Sequence, residues 1–184
     1  MASAMASQLW LLRHADAERH GVRADSERRL TERGELQARA AGLALAALGV
    51  HFDAVLCSPK VRARQTAQIA AGEWDEATRP RVEVHQPLAT GFDAAAARGA
   101  LVGVGAAAHV LLVGHEPDLS GVIAQLTGAR VELKKGGLAL IRLEAGGAQL
   151  ALLMRPRELA LIADGGGIAN RGGLSDLVGS PGSG

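Results

Sequence analysis

The chain has 184 residues, 20 basic against 19 acidic side chains for a formal net charge of +1, and 48% hydrophobic residues with only 2% aromatics. That suits one domain with a real but aromatic-poor core, and it excludes wholesale disorder and a general nucleic-acid binder, which needs a basic field and stacking rings. A single cysteine, Cys57, excludes a disulfide framework and a thiolate metal cluster, and its place in Ala54-Val55-Leu56-Cys57 reads as a buried structural thiol.

Met1 to Gln8 lacks a basic n-region, and Leu9-Trp10-Leu11-Leu12 is too short for a signal core. No stretch reaches the ~20 apolar residues of a membrane helix, so a cytoplasmic protein is expected, with no membrane or nucleic-acid partner. Leu9 to Leu12 has no helical spacing and stops at Arg13-His14, as a strand buried on both faces would. Thr31 then caps a helix in which Leu36, Ala40, Leu43, Ala47 and Leu48 recur at three- and four-residue spacing before Gly49 ends it.

Ala54 to Cys57 is a second strand, ending at Ser58-Pro59, which reads as an N-cap followed by proline at the first helical position. The helix it opens runs through Gln65, Thr66 and Ile69 toward Gly72. The alanine-rich segment Asp93 to Leu101 has weaker periodicity but also suits a helix. Val110 to Val113 is a third strand, ending at Gly114-His115. Glu116-Pro117 opens a helix with the apolar stripe Leu119, Val122, Ile123 and Leu126 and the stop Gly128. Leu138 to Leu143 and Ala148 to Leu153 flank Gly146-Gly147 as a β-hairpin. The expected organisation is one domain over 1–163 and a Gly/Ser-rich flexible tail over 164–184. Three apolar strands that each end in polar groups predict an open α/β sheet with its ligand crevice at the carboxyl ends.

Arg13-His14 offers a guanidinium beside a nucleophile at one strand end. Arg62 falls in the first turn of the helix after Ser58, near unpaired N–H groups that favour anions, and His115 emerges at a further strand end. A shared crevice brings Arg13, His14, Arg62 and His115 together as a phosphate site. Lys60 and Arg64 are expected as solvated charges, His51, His85 and His109 as surface or edge residues, and Lys134-Lys135-Gly136-Gly137 as a solvated turn, with attraction of an acidic partner as the alternative. A metal hydrolase using His14, Asp16, His20 and His115 is disfavoured by spacing and by the adjacent arginine.

Four segments in order carry a resemblance: Leu11-Leu12-Arg13-His14-Ala15, Asp25 to Gly34, Ser58-Pro59 through Arg62 to Gln65-Thr66-Ala67, and Val113-Gly114-His115-Glu116-Pro117. Together they resemble the histidine phosphatase superfamily and, within it, the short phosphohistidine phosphatases of the SixA type. Arg29 departs from the pattern, where proline is usual. The resemblance implies the phosphoglycerate mutase-like fold, a single-domain three-layer α/β sandwich with a mostly parallel mixed sheet and helices on both faces.

It also implies a metal-independent phosphatase with no cofactor, in which His14 is the nucleophile and Arg13, Arg62 and His115 complete the phosphate pocket. His115, if protonated, would add positive charge opposite His14. Asp16, Asp93 and Glu116, and less so Glu18, are candidate proton donors. The expected substrate is phosphohistidine on a protein; a small phosphomonoester, a phosphoanhydride, or phosphate binding without turnover are the alternatives.

Overall fold

The computed structural model describes residues 7–169. Six strands form one sheet in the order β3-β2-β4-β1-β5-β6, where β1 is Ser7–Arg13, β2 Ala54–Cys57, β3 Val82–Val84, β4 His109–Gly114, β5 Leu138–Glu144 and β6 Gly147–Met154. The pairs β1/β4, β4/β2 and β2/β3 are parallel, whereas β5 lies antiparallel to both β1 and β6. The sheet is therefore mixed and mostly parallel, and the hairpin about Gly146-Gly147 forms its antiparallel edge.

Alternation along the central strands sorts the core into two layers. Leu9, Leu11, Val110 and Leu112 face one side, where α3 (Ala94–Val104) and α4 (Asp118–Thr127) supply Ala97, Leu101, Leu119, Val122 and Ile123. Trp10, Leu12, Leu111 and Val113 face the other, against α1 (Glu32–Ala47), α2 (Val61–Gly72) and α5 (Pro156–Ala169). The three-layer sandwich follows from central strands whose buried stretches, Leu9 to Leu12 and Val110 to Val113, are apolar on both faces.

Thr31 caps α1 as expected, its hydroxyl accepting from Gly34 N–H at 3.1 Å, and Gly49 (φ +67°) and Gly128 (φ +75°) follow α1 and α4 in the left-handed region. The face of α1 differs from the expectation. Leu36, Leu43 and Leu48 are exposed, while Gly34, Ala38, Ala41, Gly42, Ala44 and Leu45 are buried. The reason is backbone proximity: a Cβ on Gly42 would lie 2.3 Å from the Ala70 carbonyl oxygen of α2, so only the smallest side chains fit between these helices.

Two boundaries also move. Helix α2 starts at Val61 rather than at Pro59, and its N-cap position is Lys60 with no side-chain cap, so Ser58 is not the capping residue. Helix α5 continues through Ala169, so residues 164–169 of the expected tail are helical; the remainder of that tail lies outside the described residues. Among the described residues no helix is long and apolar enough to cross a membrane.

Candidate active site

Because β4 lies between β2 and β1, the carboxyl ends of these strands present Ser58, His115 and His14 side by side. Ser58 N–H donates to Val113 O at 2.9 Å and His14 N–H donates to Gly114 O at 3.0 Å, which extends the ladder one residue past each strand. The His14 and His115 ring centres are 5.1 Å apart.

His14 is 6% exposed, and its Nδ1 lies 2.8 Å from the Ala15 carbonyl oxygen. A carbonyl only accepts, so Nδ1 carries the proton and the lone pair is on Nε2. That lone pair receives Arg62 Nε–H at 3.3 Å. Burial holds the imidazole well below its ordinary value, at about 3, and the charges of Arg62, Arg13 and Lys135 add to the effect against the opposing bond to Ala15. His14 is thus neutral near pH 7 with its lone-pair nitrogen against a guanidinium.

The loop after β1 is held from two sides. Thr66 Oγ1 of α2 accepts from Ala15 N–H at 3.1 Å and donates to Arg62 O at 2.7 Å, while Gln65 Oε1 accepts from Leu30 N–H at 2.9 Å. From α1, Thr31 donates to Asp16 Oδ2 at 3.0 Å, and Gly34 packs so tightly that a Cβ would meet the Asp16 carbonyl oxygen at 1.9 Å. The Leu-Thr-x-x-Gly and Gln-Thr patterns therefore clamp the backbone that follows His14.

Arg62, 4% exposed, is aimed by Asp25: Nη1 donates to the Asp25 backbone carbonyl at 2.6 Å and Nη2 to its carboxylate at 3.3 Å. The same carboxylate pairs with Lys60 Nζ at 2.9 Å and Arg28 Nη2 at 2.8 Å. Hydrogen bonds from Lys60 and Arg28, with the Arg62 charge, hold Asp25 well below the usual carboxylate range despite some burial. Lys60 is accordingly part of the charge cluster and not the solvated residue expected, and Asp25, in the sequence only the first residue of the Asp25 to Gly34 segment, is its centre.

His115, 7% exposed, has its Nε2 2.8 Å from Ser58 Oγ, and its buried Nδ1 has no protein partner. Ser58 is fully buried and its Oγ accepts from Lys60 N–H at 3.3 Å, so among the described residues His115 Nε2 is the one acceptor left for its hydroxyl hydrogen. Nδ1 then carries the ring proton and is an unspent donor. Burial, then coupling to the His14 ring and the charges of Arg62 and Lys60, brings His115 down to about 3, so near pH 7 the ring is a neutral donor and the condition for added positive charge opposite His14 is not met. This role for Ser58 is what the capping assignment concealed.

Arg13 donates from Nη1 to Leu133 O at 2.8 Å and keeps a buried Nε without a partner. Of the candidate acids, Asp93 is spent as the N-cap of α3, accepting from Ala96 N–H at 2.9 Å. Burial pushes Asp16 up, but Lys135 at 2.9 Å and Thr31 outweigh it and hold its carboxyl low. Glu18 is bound to Arg23 and to Arg29 N–H. Glu116 differs: burial raises it against the opposing contacts of Ser120 and Arg13, and its buried Oε1 has no partner. Among the described residues no three His, Cys, Asp or Glu side chains gather as a metal-holding group; His20 is exposed and lies 3.8 Å from Asp25. Cys57 is buried, and burial pushes its thiol up to about 11.

Residues 9–88 match the model of the histidine phosphatase superfamily, branch 1. An uncharacterized protein of Picosynechococcus sp. (strain ATCC 27264 / PCC 7002 / PR-6) is 37% identical over 151 residues, covering 78% of this chain and 88% of the relative. Among solved structures, the protein histidine phosphatase SixA complexed with tungstate superposes with a TM-score of 0.72 at 26% identity, covering 83% of this chain and 99% of that one. A structure assigned as phosphohistidine phosphatase SixA from Nakamurella multipartitia gives 0.68 at 28% identity over 84% and 98% of the two chains. A phosphoserine phosphatase from Entamoeba histolytica shares the fold alone, at 17% identity and a TM-score of 0.64 over 83% and 99%.

Proposed function

Because this chain belongs to the histidine phosphatase superfamily, we propose that it hydrolyses phosphohistidine on a protein through a covalent phosphoryl-His14 intermediate. The observation that carries the proposal is the state of His14: neutral, with Nδ1–H tied to Ala15 O and the Nε2 lone pair beside Arg62 Nε. Nε2 attacks phosphorus while the bond to the leaving nitrogen breaks. Arg62, Arg13 and the Nδ1–H of His115 supply fixed positive ends for the charge on the equatorial oxygens. Water then attacks phosphoryl-His14, releasing phosphate and restoring the imidazole.

The proton for the leaving group is assigned to Glu116, since Asp93, Asp16 and Glu18 are committed elsewhere and Glu116 is the carboxyl that burial tilts toward its acid form. A phosphohistidine leaving group, which can be protonated before attack, needs this acid less than an alkyl ester does. The likeness to the SixA structures favours the same substrate.

The test is rapid quenching during turnover of a phosphohistidine protein, with the acid-labile label located on the chain. Label at His14, and its loss with all activity in His14→Ala, is expected; turnover without label at His14 rejects the covalent mechanism. Glu116→Gln should slow an alkyl phosphate ester more than the phosphohistidine protein, and equal slowing would remove Glu116 from the donor role.

A further inference from the structure

Six cations, Arg13, Arg33, Lys134, Lys135, Arg155 and Arg157, line one open groove of about 500 Å³ in which Asp16 is the acidic lining residue. With a formal charge of only +1 for the whole chain, the rest of the molecule must be net negative, so the groove is a local concentration of charge. Four separate segments build it: the end of β1, the first turn of α1, the 134–135 turn and the start of α5.

The groove is also joined to the reaction centre. Arg13 belongs to both, and Lys135 is close enough for its charge to act on His14. The turn that bears the lysines is fixed to the catalytic strand: Gly136 N–H donates to Arg13 O and His14 O at 3.1 and 3.2 Å, and Gly137 N–H donates to Lys134 O at 2.7 Å. Gly136 has φ +70°, and a Cβ on Gly137 would lie 2.8 Å from Lys134 O, so glycine is required at both. The turn is solvated as expected, with Lys134 and Lys135 exposed, but its backbone is tied to the site. Lys134, Lys135 and Arg157 reach single carboxylates, Glu132, Asp16 and Glu158, whereas the side chains of Arg33 and Arg155 make no ion pair among the described residues.

We propose that this groove, running from Arg13 past Arg33 to Arg155, docks an acidic segment of the phosphoprotein that flanks the phosphohistidine. The proposal rests on His14 acting on a protein-borne phosphoryl group. Its cations are spread along an open channel much larger than one phosphoryl group, which suits several carboxylates of an extended peptide better than a second phosphate. Each exposed pair is weak and salt-screened, so the groove acts on encounter and on KM, not on the chemical step.

The test uses the full chain, a phosphohistidine peptide with Glu-rich flanks, the same peptide with Gln flanks, and N-phosphoimidazole. The wild type should show a KM about tenfold lower for the Glu peptide at low salt with kcat unchanged, a preference that fades as salt rises. Arg33→Glu combined with Arg155→Glu should erase the preference and leave N-phosphoimidazole turnover as it was. Equal KM for the two peptides, or a preference that survives the double variant, overturns the proposal. So does inhibition by inorganic triphosphate that the double variant relieves without touching the peptide preference, which would make the groove a small-polyanion site. If no phosphorylated compound is turned over, the function assigned above fails; binding of the unphosphorylated Glu peptide by fluorescence anisotropy, lost in the double variant, still decides the groove.

Discussion

The ends of β1 and β4 are neighbours in register, and each delivers a buried histidine held near pKa 3, yet the two rings are wired in opposite senses. His14 gives its Nδ1 proton to a backbone carbonyl and keeps a lone pair toward Arg62. His115 has its Nε2 on the Ser58 hydroxyl and keeps a donor at Nδ1. Equal burial therefore leaves one imidazole presenting a lone pair and the other an N–H; the second hydrogen-bond partner, not the pKa, sets the difference.

Removing the guanidinium that distinguishes the His14 side should have the largest effect: Arg62→Ala is expected to lower kcat by about 10² to 10³, the range for losing a transition-state charge donor. Steady-state kinetics on N-phosphoimidazole checks it, and a loss below tenfold would mean that Arg62 only fills space. On the His115 side, Ser58→Ala frees the ring to adopt the other tautomer and should cost about tenfold in kcat, the worth of one hydrogen bond. If His115→Ala is no worse than Ser58→Ala, the ring serves no purpose beyond its contact with the serine.

The smallest effect tests what the two ends share. Both histidines bind a proton more readily unfolded, at about 6.5, than folded, so the unfolded state takes up more protons as pH falls and stability drops below about pH 6.5. Between about pH 7 and 5.5 the loss should be on the order of 1 kcal/mol per histidine, read from urea midpoints. His14→Ala should flatten that slope by about half, and an unchanged slope would show that His14 is not held neutral by burial.

Much of this was legible without coordinates, because apolar runs ending abruptly in charge report buried strands directly. Arg13, His14, Arg62 and His115 each follow such a signal. What was not legible depended on which neighbour a polar atom meets. Ser58-Pro59 carries a helix-start pattern, and nothing local indicates that the hydroxyl is taken by a histidine 57 residues later. Asp25 lies 37 residues before Arg62, in a polar segment with no periodicity of its own. The leucines of α1 announced the helix by spacing yet face outward, because the near-contact of Gly42 with Ala70 admits only small residues on the inner side.

The amino-acid sequence by itself determined the layered α/β architecture and the strand ends that carry reactive side chains, since alternation, capping and apolar runs are properties of adjacent residues. Only the tertiary structure decided the protonation of the two histidines, the aim of Arg62 and the extension of the site into a basic groove. Those depend on desolvation and on hydrogen bonds that exist only once β4 has inserted between β1 and β2.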